Sequence, residues 1–313
     1  MQPDAGGVLF VHAHPDDESM ATGGIMARLV AEGVRVDLVT CTDGAEGEIH
    51  DPTLDADEAR PRLARIRADE LACSIHALGG GAIRQHLLGY RDSGMMGTDA
   101  NGHPEAFWQA DLDDAARRLV EIVREARPAV IVTYDENGNY GHPDHINAAR
   151  IARDAYRASS GTDWEVSRFY EIAFAREAWF ALMSAMKERG ISLPWDLDEA
   201  IEAAEVPADE LNASSVAALA EVGEAIEAQE QDSFEFGRRE EEITTRVDVS
   251  AFRDQKRRSM DCHKTQRQDL GWLLDLPSDL ADEATSTEYF VLRWIDGVAV
   301  QPSLREEWLL PSR

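Results

Sequence analysis

The sequence predicts an α/β fold: a Rossmann-like, mostly parallel sheet flanked by helices, with a smaller mixed C-terminal part and an acidic helical insert. Two observations predict it. In the first half of the chain, short runs of apolar and β-branched residues alternate with segments whose apolar residues recur at helical spacing, as parallel strands joined by helices do. In the second half, residues 196–242 contain sixteen Asp or Glu against two Arg, a composition typical of solvated surface helices.

The elements of the first half follow one another in regular order. Predicted strands cover residues 8–12, 34–41, 86–90 and 129–134, and predicted helices cover residues 19–32, 62–78, 112–126 and 142–157. The strand segments are short apolar runs, which is the pattern of strands that are buried on both faces. Gly33 and Gly79 follow the first two helices, where glycine commonly ends a helix.

The second half is less regular. After the acidic insert, residues 243–249 are expected to form a strand. Residues 250–268 are expected to form a helix with Ser250 as its N-cap, because a serine hydroxyl can accept a hydrogen bond from the first turn. Residues 289–294 are expected to form the last strand.

The formal net charge of the chain is −29. Phosphate backbones and anionic membranes would repel so acidic a surface, so neither nucleic acid nor a membrane is an expected partner. The expected partner is a small molecule that is neutral or cationic. The sequence is also compatible with a homo-oligomer. The sequence shows no basic segment followed by an apolar one at its start and no apolar run of about 18 residues, so a cytoplasmic location is expected.

The three cysteines, Cys41, Cys73 and Cys262, are odd in number and far apart in the sequence. None belongs to a C-x-x-C pair, so neither a structural zinc knuckle nor a redox site is predicted, and an oxidising compartment is not indicated. Because Cys41 and Cys73 lie in segments with periodic apolar residues, both are expected to be buried thiols.

The densest cluster of ionisable residues follows the first predicted strand, at His12-Ala13-His14-Pro15-Asp16-Asp17-Glu18. Open parallel sheets bind ligands at this end of their strands. Imidazole nitrogens and carboxylate oxygens suit a borderline metal such as zinc. Alternatively, Asp16 or Asp17 only caps the helix that follows. Capping accounts for one acid and leaves the histidines unexplained, so the metal interpretation is favoured.

A second cluster, Tyr140-Gly141-His142-Pro143-Asp144-His145, follows the strand predicted at residues 129–134. A catalytic zinc normally keeps three protein ligands and one open position. The surplus of candidates suits hydrolysis, which also needs a base, an acid and an oxyanion donor. The His-x-His-x-Asp-His motif of metallo-β-lactamases does not fit, because its sixth position is Asp17 here.

Together the two clusters resemble the signature of the PIG-L/LmbE-like zinc deacetylase family, an A-H-P-D-D-E loop paired with a later H-P-D-H. Flanking segments are similar to the branch of that family that acts in mycothiol metabolism, at residues 40–42 (TCT), 44–48 (GAEGE), 91–95 (RDSGM) and 133–138 (TYDENG). The similarity is strong across residues 8–157 and weak beyond, apart from the segment His263-Lys264-Thr265-Gln266. We therefore divide the chain into a Rossmann-like metal-binding catalytic core, residues 1–175, and a part, residues 176–313, that completes the pocket.

The resemblance implies a role for each matching residue. Three would hold the metal: His14, Asp17 and His145. Four would carry out the reaction. Asp16 would be the general base, and His142 would stabilise the oxyanion or protonate the leaving amine. Asp144 would tune the pKa of His142, and Tyr140 would donate a second hydrogen bond to the oxyanion. Three would bind the sugar or line its pocket: Arg67, Asp92 and Glu48. His12 would pack behind the site.

The resemblance implies hydrolysis of an N-acetyl amide on an amino sugar, N-acetylglucosaminyl-inositol, giving acetate and a free amine. The implied cofactor is Zn²⁺, with Fe²⁺ as the alternative in the cell, since His/His/Asp ligation suits either metal. One alternative is a mycothiol S-conjugate amidase, although Ala21 stands where that relative carries Lys. Another alternative is a deacetylase of another acylated glycoside. A non-catalytic relative that binds metal and sugar, and a two-metal enzyme that cleaves phosphate esters, are alternatives from other classes.

Overall fold

A computed structural model describes residues 6–191, 237–301 and 303–310 of the chain. These residues form one eight-stranded sheet in the order β3-β2-β1-β4-β5-β7-β6, with β8 paired to β7. The strands are β1 (Gly7–His12), β2 (Val36–Thr42), β3 (Ile83–Tyr90), β4 (Pro128–Thr133), β5 (Arg168–Ala173), β6 (Thr245–Asp248), β7 (Thr287–Ile295) and β8 (Val298–Ala299). The first five strands pair in parallel, and β6, β7 and β8 join the sheet through antiparallel pairing, so the predicted mostly parallel α/β fold is confirmed.

Helices lie between the strands. Their bounds are α1 (Asp17–Ala21), α2 (Gly23–Ala31), α3 (Ala56–Ala59), α4 (Leu63–Gly79), α5 (Leu112–Ala126), α6 (Pro143–Ser159), α7 (Arg176–Glu188), α8 (Arg253–Cys262), α9 (Arg267–Asp275) and α10 (Ser278–Thr285). Short 3₁₀ turns occur at Arg60–Arg62, Asp99–Gly102, Phe107–Gln109, Ser250–Phe252 and Lys264–Gln266. The predicted helix over residues 112–126 agrees with α5 at both ends.

The strand β5 was not expected from the sequence, because its residues are not the apolar run that predicts a buried strand. All six residues of β5 are nevertheless buried. The guanidinium of Arg168 donates to the Tyr170 hydroxyl (2.9 Å) and to Glu306 (2.7 Å), and Glu171 accepts from Arg153 at 2.8 Å. Buried charges are tolerated when they are paired in this way, and such partners are not visible in a local sequence pattern.

The helix predicted over residues 19–32 is two helices, with the break at Thr22. Gly24 lies in the second of them against the chain after β6, where a Cβ would come within 2.6 Å of the Val249 side chain. Oxygens of Glu288, on β7, accept from the N–H groups of Gly24 and Ile25, both at 2.8 Å. The start of α2 is therefore capped by a distant residue, which local capping rules cannot find.

The helix predicted over residues 250–268 is also wrong in its extent. Ser250 is not its N-cap: the N–H of Ser250 donates to Asp248 Oδ1 at 2.8 Å, a 3₁₀ turn follows, and α8 begins only at Arg253. The chain leaves helical geometry at His263, where φ is −85° and ψ is 67°. The side chain of His263 turns into the protein at this break, as described below.

The expectation that Cys73 is a buried thiol is wrong. Cys73, on α4, forms a disulfide with Cys262 at the end of α8, and the Cα atoms are 5.7 Å apart. Cys73 lies on the exposed face of its helix. Helical periodicity gave no sign of this pair, because the partner lies 189 residues away. Cys41 is buried and free, as expected.

The predicted acidic helical insert, residues 196–242, lies outside the described residues as far as residue 236. Its last described part contains turns and a bridge between Arg238 and Ala175. The division at residue 175 stays a prediction, as do the cytoplasmic location and the oligomeric state. No helix among the described residues combines the length and the apolar composition needed to cross a bilayer.

Candidate active site

The site lies at the carboxyl ends of β1 and β4. These two parallel strands are neighbours at the centre of the sheet, with Val8 opposite Val130 and Phe10 opposite Val132. The strand order reverses direction between them, since β2 follows β1 on one side and β5 follows β4 on the other. Such a switch point opens a crevice in an open α/β sheet. Both sequence clusters therefore meet in one place.

The first loop begins where β1 ends, and hydrogen bonds fix it to its neighbours. The N–H of Ala13 donates to the Tyr134 hydroxyl (2.8 Å), and the Ala13 carbonyl accepts from the N–H and the hydroxyl of Thr42 (2.8 and 3.0 Å). The N–H of His14 donates to Oδ2 of Asp17 at 2.7 Å, which turns that carboxylate toward the imidazole. The loop therefore presents His14 and Asp17 side by side.

The second loop joins β4 to α6. Oδ1 of Asp135 accepts from the N–H groups of Asn137 (3.0 Å) and Asn139 (2.8 Å), which holds the turn together. Gly138 has φ +64°, and a Cβ at this position would lie 2.6 Å from Cβ of His145. Glycine thus permits the loop to pass close to α6, and His145 faces the first loop from the first turn of that helix.

The three predicted metal ligands come together. Nδ1 of His14 lies 3.2 Å from Nε2 of His145 and 3.6 Å from Oδ2 of Asp17, and Nε2 of His145 lies 3.4 Å from Oδ1 of Asp17. Ligand atoms on tetrahedral zinc, with bonds of about 2.1 Å, are about 3.4 Å apart. The two histidine nitrogens therefore have the spacing of ligands on one metal ion, and Asp17 presents a different oxygen to each of them.

Charge and burial set the protonation of this cluster. Burial alone would lower the pKa of His14, but the carboxylates of Asp92, Asp144 and Asp17 outweigh it and raise that pKa well above its ordinary value. Burial alone would raise the pKa of Asp17, but His145 and His14 bring it well below its ordinary value. Burial lowers the pKa of His145 to about 4 against the charge of Asp17. The carboxylates thus favour the cationic form of His14, and a metal ion that binds its Nδ1 would compete with a proton.

The second nitrogen of His14 contacts a pair of buried carboxylates. Its Nε2 lies 3.2 Å from Oδ2 of Asp144 and 3.5 Å from Oδ1 of Asp92. Ser93 fixes Asp144 in turn, since its N–H donates to Oδ2 at 2.9 Å and its hydroxyl donates to Oδ1. A carboxylate behind a metal-binding histidine orients the ring and makes it a better ligand. This arrangement is a second feature that fits a metal centre.

Asp16 lies next to the cluster of metal-ligand candidates, and its carboxylate is bound by Arg67. Its backbone has φ 125° and ψ −35°, a conformation that residues other than glycine rarely adopt. Its Oδ2 accepts from the guanidinium of Arg67 at 2.6 Å. Burial raises the pKa of the Asp16 carboxyl to about 7, although the charge of Arg67 opposes the rise.

His142 and Tyr140 line the same space. The N–H of Asp144 donates to Nδ1 of His142 at 3.1 Å, so the neutral ring carries its proton on Nε2 and can donate from there. Burial, together with the charges of His14 and His145, lowers the pKa of His142 to about 3, and the charge of Asp144 only partly offsets this. The Tyr140 hydroxyl lies 3.4 Å from Nε2 of His145.

His142 is also a candidate ligand on geometry alone. One ring nitrogen from each of His14, His142 and His145 lies within 4.8 Å of the other two, and the same holds for one atom each of His14, Asp92, His142 and Asp144. His142 therefore competes with Asp17 for the third ligand position, and only a metal count on variants separates the two.

The predicted sugar-binding residues are placed differently from one another. Arg67 is 2% exposed, and its guanidinium donates to the carbonyls of Pro15 and Gly44 as well as to Asp16. Asp92 is buried and accepts from the N–H of Gly94 at 2.9 Å. The Glu48 side chain is half exposed and pairs with His50 at 2.8 Å. Sugar binding by Arg67, Asp92 and Glu48 stays a prediction.

Three buried residues around the site, Tyr134, Glu18 and His263, received no role from the sequence, while His12 did. The Tyr134 ring stacks on His145 with centroids 4.1 Å apart. His12 packs behind the loop, with Nε2 2.9 Å from the Thr22 hydroxyl, as expected for it. Glu18 lies 2.7 Å from Nε2 of His263. The signals in the sequence were the final acid of the first cluster and the late segment His263-Lys264-Thr265-Gln266, but nothing local connects the two.

Sequence comparisons place these motifs among known proteins. The model of the GlcNAc-PI de-N-acetylase family, PIG-L, matches residues 9–156. A 1D-myo-inositol 2-acetamido-2-deoxy-alpha-D-glucopyranoside deacetylase of Acidothermus cellulolyticus is 43% identical over 295 residues, which span 91% of this chain and 88% of the relative. A protein of the same name from Thermobifida fusca is 39% identical over 296 residues, spanning 91% and 92%.

Solved structures share the fold at low sequence identity. A 4-carboxy-2-hydroxymuconate hydratase from Pseudomonas putida KT2440 matches with a TM-score of 0.54 and 15% identity, over 92% of this chain and 95% of that one. A deacetylase of the A40926 pseudoaglycone matches with a TM-score of 0.50 and 14% identity, over 95% and 100%. One is a hydratase and the other a deacetylase, so the fold does not by itself decide the reaction.

Proposed function

The chain belongs to the GlcNAc-PI de-N-acetylase (PIG-L) family, as its two motifs predicted, and from that premise we propose that it hydrolyses the N-acetyl amide of N-acetylglucosaminyl-inositol. The products are acetate and the free amino sugar. The relatives that span nine-tenths of the chain carry the name of this deacetylase, and they support the substrate. The observation that carries the proposal is the cluster of His14 and His145, both buried, with the partly buried Asp17. The histidine nitrogens lie 3.2 Å apart, and the two Asp17 oxygens lie 3.6 Å from His14 and 3.4 Å from His145.

Zinc is the metal that we propose for this set. Two imidazoles and one carboxylate, with an open fourth side, are a common ligand set of catalytic zinc. A bound ion of this kind polarises the acetyl carbonyl and lowers the pKa of a water molecule. Asp144 and Asp92 would keep the proton of His14 on Nε2, which leaves Nδ1 free to bind. Ferrous iron is the alternative with the same ligands.

The remaining residues have distinct proposed roles. Asp16 takes a proton from the attacking water, and Arg67 holds the Asp16 carboxylate in place at 2.6 Å. His142 donates from Nε2 to the carbonyl oxygen as negative charge grows there, since its Nδ1 already accepts from the N–H of Asp144. Tyr140, whose hydroxyl lies 3.4 Å from Nε2 of His145, donates to the same carbonyl oxygen. The departing amine must be protonated before it leaves, and the proton that Asp16 has taken can serve.

The experiment measures acetate release. The purified chain, loaded with one equivalent of Zn²⁺, is given N-acetylglucosaminyl-inositol, and acetate and free amine are quantified together. We expect equal amounts of the two products. Asp16→Asn is the matched negative control, because it keeps the metal ligands and loses the base; we expect full zinc occupancy and a rate reduced by about 10²–10⁴.

A second arm offers a bimane conjugate of mycothiol, which an S-conjugate amidase would cleave. Cleavage of the conjugate without acetate release would replace the proposal by the amidase. No turnover of either compound at full zinc occupancy would overturn hydrolysis of both. Loading with Fe²⁺ under anaerobic conditions, with the same assay, decides between the two metals.

A further inference from the structure

The carboxylate of Glu18 lies between the Asp16 loop and a distant part of the chain. Oε2 of Glu18 accepts from the N–H of Asp16 at 2.9 Å. Oε1 accepts from the Ser74 hydroxyl and lies 2.7 Å from Nε2 of His263. Glu18 and His263 are fully buried, and so is Ser74. Both oxygens are therefore engaged inside the protein, and Glu18 is not directed at the metal ligands.

Asp16 needs such support because of its backbone. With φ at 125°, its conformation is strained and persists only where the surroundings hold it from several sides. The carbonyl of Asp16 accepts from the N–H of Ser19 (2.9 Å) and from its hydroxyl (2.7 Å), and Arg67 holds the side chain. The bond from the N–H of Asp16 to Glu18 completes the set.

We propose that His263 and Ser74 are positioning residues for the general base: they fix Glu18, and Glu18 fixes the backbone of Asp16 so that its carboxylate is aimed at the water. The inference rests on the proposed function, in which Asp16 is that base. It assigns a task to His263, which lies 245 residues from Glu18 in the chain and does not contact the metal ligands.

The placement of the two anchors supports a positioning role. Ser74 directly follows Cys73, and His263 directly follows Cys262, so the disulfide joins the two segments next to the residues that hold Glu18. The segment after His263 is fixed as well: Thr265 donates from its N–H and its hydroxyl to the carboxylate of Glu70, at 2.8 and 2.7 Å. The geometry of Glu18 is therefore supported by a rigid frame.

The test compares kcat, KM and metal content of His263→Ala, His263→Gln and the parent in the acetate assay. For His263→Ala we expect one zinc per chain, KM within about twofold of the parent, and kcat reduced by about 10- to 100-fold, because a small displacement of a reacting group costs that much. His263→Gln, whose amide can still donate to Glu18, should recover part of the loss. Ser74→Ala, a milder change, should lower kcat by several-fold.

Lys256→Met is the control for lost stability. It removes a buried ion pair of α8, the helix that ends just before His263: Lys256 pairs with Glu288 at 2.7 Å. Lys256 is not among the partners of Glu18 or Asp16 given above, so the kcat of this variant should match the parent. In a variant that already carries Glu18→Ala, adding His263→Ala should lower kcat little further, since His263 acts on Asp16 only through Glu18.

The proposal is overturned if His263→Ala and Ser74→Ala keep the parent kcat at full occupancy, if KM or zinc content changes instead, or if Lys256→Met reproduces the loss. A parent that releases no acetate fails the proposed function instead, which keeps the two failures distinct.

Discussion

The imidazole of His14 has different neighbours at its two nitrogens. Nδ1 faces His145 and Asp17, while Nε2 faces the carboxylates of Asp144 and Asp92. One ring thus separates the atoms that can hold a cation from the acids that orient it. The resemblance to the family implied that Asp144 tunes the pKa of His142, and the charge of Asp144 does raise that pKa, although burial, the larger effect, lowers it. The Asp144 carboxylate also contacts His14 directly, at 3.2 Å.

A substitution at Asp144 should therefore be visible in metal affinity. Asp144→Asn keeps the shape of the side chain and removes the charge behind His14, so the dissociation constant for Zn²⁺ should rise by about 10- to 100-fold. Competition with a chromogenic chelator measures it. Asp163→Asn, at an exposed surface acid, is the control and should bind as the parent does. Equal affinity of Asp144→Asn and the parent would contradict this role for Asp144.

His142 offers a second prediction at this scale. If His142 donates to the reacting oxygen and Asp17 is the third ligand, His142→Ala should retain one zinc per chain and lose about 10²–10³ in kcat. Elemental analysis of the dialysed variant checks the first part and the acetate assay the second. Loss of zinc from His142→Ala would instead make His142 a ligand.

Sequence reasoning located the site because its main residues are close together in two short segments. The residues that hold these segments in place were not found, since each is distant in sequence: Ser93 lies 51 residues from Asp144, and Ser74 lies 56 from Glu18. A buried serine or histidine has no local feature in the sequence that distinguishes a supporting residue from an ordinary core residue. Contacts of this kind become visible only in three dimensions.

Among the elements, the strand next to the edge of the sheet carries a buried acid. Asp37, on β2, is fully buried and accepts from Arg84 (2.8 Å) and lies 2.9 Å from Nε2 of His86, both on β3. Burial alone would raise the pKa of Asp37, but the bonds from His86 and Arg84 lower it below its ordinary value. An acid whose pKa is lower in the folded state stabilises that state above its unfolded pKa and loses this contribution as pH falls.

The pH dependence of Asp37→Asn follows from that sign. At pH 7 the variant should lose about 1–2 kcal/mol in the free energy of unfolding, because charged hydrogen bonds to a buried acid are weakened. The loss stays this small because Arg84 is half exposed and solvent screens its charge. The difference from the parent should shrink once the pH falls below about 4, where the unfolded acid is protonated. Urea titrations at several pH values measure it.

Asp69→Asn is the matched control for Asp37→Asn. Asp69 pairs with Arg65 at 3.4 Å on the surface of α4, and both side chains are more than two-thirds exposed. Solvent screens such a pair, so no measurable change in stability is expected. A difference between Asp37→Asn and the parent that stayed constant down to pH 2 would argue against the charge of Asp37 as the cause.

The fold was predictable where strands are apolar and helices regular. The four predicted strands of the first half and the helices around them agree with the structure to within a few residues. The sequence did not predict β5, because distant residues neutralise its charges. It did not predict the helix breaks at Thr22 and His263 either, because tertiary contacts impose them. Local patterns describe what a segment can bury, but not which partner arrives from elsewhere.

At the scale of the whole molecule, the second half of the chain is built into the first. β7 pairs with β5 in the central sheet, and Glu288 on β7 caps α2 near the active-site loop. His263 reaches Glu18 in that loop. Residues of both halves therefore support the active-site loop, although the resemblance is strong only for residues 8–157.

The disulfide between Cys73 and Cys262 should contribute to global stability. The double variant Cys73→Ser/Cys262→Ser is expected to lose about 2–5 kcal/mol in the free energy of unfolding, since the link restricts the unfolded chain. Dithiothreitol should lower the stability of the parent and leave the double variant unchanged. Unfolded parent should show one titratable thiol before reduction, that of Cys41, and three afterwards. Three thiols before reduction would contradict the bond.

The same bond closes a ring of backbone between residues 73 and 262. Any single peptide bond cut inside that ring leaves two pieces that are still covalently attached. A nicked molecule would therefore migrate as one band on a denaturing gel without reductant and as two bands with it. The sizes of the fragments that appear only after reduction would identify the cleavage site. Without reductant, the cleaved protein could still be purified as one covalently linked molecule.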